Sequence, residues 1–149
     1  MGNWYEKVVL TIARSHLGHD VKKTKIGGKL PRNVVTVIND IIENLDGGKP
    51  PNFFEESKQI RKGLNAPSKE IVTINPIMID FFAPNVNGTV FAAELKTPKA
   101  NKSIFKGEQR KMLQVRALLM SQIRDKSFDK FHTCFVFSYN PYTTWKTLS

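Results

Sequence analysis

The chain of 149 residues carries 23 Lys+Arg against 13 Asp+Glu, a formal charge of +10. At this length one domain with one sizeable core is expected, and 40% hydrophobic residues with ten Phe exclude a disordered polyelectrolyte. No apolar run is long enough to span a membrane, the N-terminus lacks the apolar stretch of a signal peptide, and the lone Cys134 excludes an internal disulfide or a Cys-based zinc cluster. A soluble protein of a reducing, cytoplasmic compartment is expected, and the positive surplus favours polyanionic partners, nucleic acid foremost.

Residues 3–17 read as a helix, with Trp4, Val8 and Ile12 on one stripe and Gly18 as its stop. The stretch 16–32 follows as a basic loop, loosened by Gly27-Gly28 and carrying Lys22, Lys23, Lys25 and Lys29. His16 and His19 on either side of Gly18 lack a third ligand and read as surface histidines. Pro31 suits the first turn of a second helix to about Leu45, whose apolar face is Val34, Val37, Ile38, Ile41, Ile42 and Leu45. A short helix over 53–62 is expected next.

The central third changes character. Residues 71–82 and 89–95 are rich in β-branched and aromatic side chains, and the Asn85-Val86-Asn87-Gly88 segment between them signals a hairpin. Pro76 is expected to break or bulge the first strand. A third helix over 106–124 buries Met112, Val115, Leu119 and Ile123 and lines Lys106, Arg110 and Gln114 along another face. Residues 131–137 (FHTCFVF) read as a last strand. The order predicts an α/β layer with a mixed central sheet and a hairpin flanked by helices.

Between Glu70 and Glu108 the sequence has only two acids, Asp80 and Glu94, and both interrupt apolar strand-like runs, where an unpaired carboxylate is costly. A hairpin turning near Asn87 sets residue 80 opposite residue 94, and strand alternation puts Glu94 and Lys96 on one face. Two carboxylates with a main-chain carbonyl such as that of Leu95 make a hard oxygen donor set suited to Mg²⁺. Lys96 beside it would orient or help deprotonate a water and stabilise charge on an attacked phosphate, which points to phosphodiester hydrolysis. The alternative is a buried ion pair in which Asp80, Glu94 and Lys96 merely satisfy one another.

Asp80, thirteen intervening residues and then Glu94-x-Lys96 resemble the PD-(D/E)XK nuclease signature, with the Pro of the "PD" half absent because Pro76 is not adjacent to Asp80. More narrowly, ELKTPKANK from Glu94 to Lys102, the basic helix after it and the late Tyr139-Asn140-Pro141-Tyr142 segment resemble type II restriction endonucleases of the TdeIII-like group, over most of the chain from Trp4 to Tyr142. The resemblance implies a restriction-endonuclease-like core in which Asp80 and Glu94 are metal ligands and Lys96 is the catalytic lysine. The superfamily often adds an acid from the preceding helix, for which Glu43 is the candidate. Lys99, Lys102 and Lys106 would hold phosphates, and Arg110 and Gln114 lie along a face that could meet bases.

By the same resemblance the protein is expected to be a Mg²⁺-dependent, site-specific endonuclease of double-stranded DNA. It would act as a homodimer on a two-fold-symmetric site, alongside a companion DNA methyltransferase and without a membrane. Enzymes of that group continue past the YNPY segment, so a chain ending at Ser149 is expected to be short at its C-terminus relative to them. Two other outcomes fit the same residues: a non-catalytic or truncated DNA-binding remnant, and a PD-(D/E)XK repair or recombination nuclease.

Overall fold

The computed structural model describes residues 2–17, 20–96 and 102–137. Within these, α1 (Gly2–Leu17) leads into β1 (Lys22–Pro31), α2 (Arg32–Asp46) and α3 (Phe53–Asn65). Then come the hairpin β2 (Ile71–Val86) and β3 (Thr89–Lys96), α4 (Lys102–Gln122), one 3-10 turn (Phe128–Lys130) and β4 (Phe131–Phe137). The sheet order is β1-β2-β3-β4. β1, β2 and β3 are antiparallel, and β4 runs parallel to β3, a pairing that needs the long crossover α4 supplies. This is the mixed α/β architecture expected, a four-stranded sheet flanked by helices and consistent with a restriction-endonuclease-like fold. No helix among the described residues is long and apolar enough to cross a membrane.

One expectation is overturned. The basic stretch taken for a loop is β1, an edge strand paired with β2 along its length. Lysine and glycine have low strand propensity, but alternation decides the matter: Ile26 and Leu30 face the core while Lys25 and Lys29, on the other face, stay exposed. Exposed lysines also blunt the free edge against pairing with another chain. Gly27 permits a close approach that no other residue would, because a Cβ there would lie 2.9 Å from Pro76 Cα. Opposite it the register slips by one, with Ile26 facing Ile77 and Gly28 facing Ile74, so Asn75 and Pro76 form a bulge in β2 as the proline signalled.

The hairpin turn is tighter than the four-residue segment suggested. Val86 pairs with Thr89, and the two-residue turn is Asn87-Gly88 with φ of 52° and 84°. The Asn85 side chain accepts from the Gly88 N–H at 2.8 Å and fixes the turn.

α2 begins just after Pro31, which ends β1, and buries Val34, Ile38, Ile41 and Ile42 as the periodicity predicts. α3 runs to Asn65 and is capped by Asn52, whose side chain accepts from the Glu55 N–H (3.1 Å) while Glu56 accepts from the Asn52 N–H (2.9 Å). α4 is wrapped more fully than its predicted stripe. Leu113, Ala117, Leu118 and Met120 are buried along with Met112, Val115 and Leu119, because α2, α3 and the sheet all close on it.

The main core lies between the sheet and α2, α3 and α4. A second, smaller cluster of Ala13, Val21, Phe81, Ala83 and Ala93, with Val9 and Leu10 packed against it, lies under α1. The α1 stripe is therefore rotated from the one predicted: Ile12 is 56% exposed and its neighbour Ala13 is buried, the small side chain letting the helix sit close. In the main core Arg116 of α4 is buried yet fully engaged. It donates to Thr133 Oγ1 (2.9 Å) and Ser57 Oγ (3.2 Å), pairs with Glu56 (3.7 Å) and lies 4.5 Å over the Phe53 ring. Burial pulls it down to about 10, so it stays cationic at neutral pH and ties α3, α4 and β4 together.

Candidate active site

Asp80 and Glu94 reach the same place because of hairpin register. Phe81 pairs with Ala93 and Phe82 with Ala92, and continuing that register by one residue sets Asp80 opposite Glu94. Asp80 Oδ2 accepts the Leu95 N–H at 3.0 Å, so the Asp80 carboxylate takes over just beyond the Phe81–Ala93 pair. In an extended strand the N–H and C=O of one residue project to the same side, so the Leu95 carbonyl is directed toward the Asp80 side as well.

A second bulge aims Asp80. Thr24 faces Ile79 and Lys22 faces Phe82, leaving one extra residue on β2 at Asp80-Phe81. Ile79 packs in the main core and Phe81 in the cluster under α1, so strand alternation breaks across Asp80. Bulges of this kind redirect a side chain at the cost of one ladder position. Lys23, on the facing strand, brings its Nζ to 3.9 Å from Asp80 Oδ1.

Lys96 stands two residues beyond Glu94 and on the same face, as alternation requires. Its Nζ lies 3.1 Å from Glu94 Oε2 and 3.3 Å from Glu108 Oε2, the latter carried by α4. Glu108 in turn meets Lys111 at 3.6 Å, one turn along the same helix. Asp80, Glu94 and Glu108 thus alternate with Lys23, Lys96 and Lys111 in one partly buried cluster. Burial, and then the neighbouring charge of Asp80, push the Glu94 carboxyl above its usual range even though Lys96 pulls the other way. Burial also works against the Lys96 charge, but the hydrogen bonds and charges of Glu94 and Glu108 outweigh it and hold the ammonium above its ordinary value.

Asp80, Glu94, Glu108 and Lys111 open onto a cleft of about 580 Å³. One wall is the 73–78 stretch of β2 with Asp80 and Glu94, and the other is α4 with Glu108, Lys111, Met112 and Gln114. Among the described residues no group of three or more His, Cys, Asp or Glu is placed to hold a metal. The donor set is instead the one read from the sequence, two carboxylates with a main-chain carbonyl, and its hard oxygen chemistry fits Mg²⁺.

The other sequence candidates separate. Glu43 lies exposed on α2 and is not among the residues lining the cleft, whose third carboxylate is Glu108 of the following helix. Lys106 is committed to an ion pair with Asp46 at 3.3 Å, Arg110 is half-buried beyond the cleft lining, and Gln114 does line the cleft. Lys99, His19 and the 139–142 segment lie outside the described residues, as does the Lys102 side chain. Sequence reasoning missed Glu108, Lys111 and Lys23. Glu108 carried one signal, being the sole acid between Glu94 and Asp125 in a strongly basic stretch.

The family model for the HinfI type II restriction endonucleases matches residues 1–148. Among curated proteins the chain is similar to the type II restriction enzyme MjaII of Methanocaldococcus jannaschii, 27% identical over 149 residues that cover 95% of this chain and 39% of that protein. The chain therefore spans about two fifths of the length of this relative. No solved structure matches it. A type II restriction-endonuclease family is what the motifs implied, although the match names HinfI and does not support the narrower TdeIII-like group. The chain belongs to the HinfI family of type II restriction endonucleases.

Proposed function

We propose that this chain carries the catalytic centre of a type II restriction endonuclease that hydrolyses phosphodiester bonds at a specific site in double-stranded DNA. The observation that carries the proposal is the Asp80–Leu95 hydrogen bond (3.0 Å), which locks Asp80 beside Glu94, the carboxylate that Lys96 contacts at 3.1 Å. Asp80, Glu94 and the Leu95 carbonyl would hold a divalent ion, with Mg²⁺ the best chemical match. When bound, such an ion supplies Lewis acidity toward a phosphate oxygen and lowers the pKa of a coordinated water.

The protein's own contribution is position and charge. Lys96, gripped by Glu94 and Glu108, is a fixed cation beside two carboxylates of the cleft lining, suited to stabilise negative charge on the attacked phosphate and to orient the attacking water. Holding Lys96 protonated favours that role over proton abstraction. The family relationship and the +10 charge support duplex DNA as substrate, and Lys99 and Lys102 follow the site in sequence where phosphates would lie. In the same reading the chain forms one cytoplasmic domain and works as a homodimer beside a companion methyltransferase.

A non-catalytic binding module is the second reading. It is favoured by the way Lys96 already neutralises Glu94 and Glu108, which is also how a purely structural ion pair looks. A digest of unmethylated phage DNA with Mg²⁺ and with EDTA separates these readings. Sharp Mg²⁺-dependent bands are expected. A Mg²⁺-dependent smear would indicate a nuclease without site specificity, of the repair or recombination kind. Binding with no scission would leave the binding module.

A further inference from the structure

We propose that the two walls of this cleft carry a base-reading pair, Asn75 on β2 and Gln114 on α4, that recognises base edges of duplex DNA, with adenine the base their chemistry fits. The proposal rests on the nuclease reading and adds where sequence is read.

The amides that hold the fold together are tied down. Asn33 bridges to Gly63, Ala66 and Ser68, Asn52 caps α3, Asn85 fixes the hairpin turn, and Gln122 donates to Gly27. Asn75 and Gln114 are the two amides of the cleft lining. Asn75 is exposed, Gln114 is half-buried, and among the described residues neither side chain has a hydrogen-bond partner. Each keeps a carbonyl acceptor and an NH₂ donor available beside Asp80 and Glu94.

The position of Asn75 is built into the fold. It lies in the bulge that Pro76, lacking an N–H, makes against Gly27, so its side chain is set by an irregular β2 rather than by simple alternation. Gln114 comes from the opposite wall, on a helix that buries Met112, Leu113 and Val115 beside it. Two amides on rigid elements facing one cleft meet the requirement for reading a base, which needs a fixed donor and acceptor side by side. An Asn or Gln amide pairs bidentately with adenine N6 and N7. A phosphate-holding cation stands beside them, since Lys111 lines the same cleft. Lysines of this kind hold the backbone without reading sequence.

The test is selection of bound duplexes from a randomised DNA library in Ca²⁺, followed by affinity measurements on the selected and on an arbitrary duplex. The wild-type chain should enrich a motif containing adenine. Asn75→Ala and Gln114→Ala should each lower the ratio of selected to arbitrary affinity by about tenfold or more and blur one position of the motif. Gln114→Glu, which replaces a donor with an acceptor, should move the preference at that position from adenine toward cytosine. Circular dichroism establishes that the variants are folded. Variants that enrich the unchanged wild-type motif would overturn this inference while leaving the nuclease reading intact, as would a wild type that binds duplex with no motif at all. A wild type that binds no duplex would instead remove the nuclease reading on which it stands.

Discussion

Lys96 is the residue whose chemistry depends most on its company. Its ammonium is held by one carboxylate from its own strand and one from α4, so removing either loosens the charge without deleting it. Lys96→Ala should lower Mg²⁺-dependent cleavage by at least about 100-fold, the loss typical of removing one group that stabilises developing charge. Glu108→Ala should cost less, about tenfold, because Glu94 still holds the ammonium. If Glu108 acts through Lys96, the double variant should cleave no more slowly than Lys96→Ala alone; four cleavage rates complete this cycle. Additive losses would show that Glu108 contributes separately. Asp80, Glu94 and Lys96 were legible in the sequence because carboxylates in apolar strands are costly and a hairpin fixes which residues face each other. Glu108 was not, since nothing local tells which turn of α4 crosses the end of β3. Glu43, exposed on α2, meets the same difficulty: a polar helix face looks alike whether it meets solvent or a site.

At the level of elements, the two bulges that β2 makes against β1 do what a regular strand could not. One turns Asp80 toward the cleft, and the other sets the wall that carries Asn75. The second depends on the contact between Gly27 and Pro76 across neighbouring strands. A methyl at Gly27 would fall 2.9 Å from Pro76 Cα and 3.1 Å from the Ile74 carbonyl oxygen, both backbone atoms that cannot swing aside. Gly27→Ala should therefore destabilise the fold by about 1–3 kcal/mol, as overpacking does, and be read as a lower urea midpoint with an unchanged slope. An unchanged midpoint would mean that β1 gives way freely and that the bulge is not fixed by this contact. Pro76 announced its bulge in the sequence because proline cannot join a ladder. The Asp80 bulge had no such marker, being a mismatch in length between two strands. β1 itself was hidden because its lysines and glycines speak for a loop, and only the partner strand, some fifty residues later, makes it a strand.

For the whole molecule, alternating apolar patterns and one Asn-Gly turn were enough to predict a mixed sheet with flanking helices, because burial acts on the same residues the pattern marks. The charge was legible too, but not its placement. Lys25 and Lys29 lie exposed on β1 with register partners in the cleft lining, and Lys111 lies on the facing helix wall. If these and Lys23 meet phosphates, about four condensed counterions leave on binding, and log affinity should fall with log salt at a slope of about −3.6. That is a loss of roughly 100-fold between 50 and 200 mM salt, measurable by fluorescence anisotropy on a labelled duplex. Replacing Lys25 and Lys29 together by Gln should make the slope shallower by about 1.8, and it should weaken selected and arbitrary duplexes alike, since phosphate contacts carry no sequence. An unchanged slope in that double variant would take β1 out of the DNA surface and place the phosphate contacts elsewhere. A slope near zero in the wild type would mean that the +10 charge serves no duplex, and the case for a nuclease would then rest on the family match and on Asp80, Glu94 and Lys96.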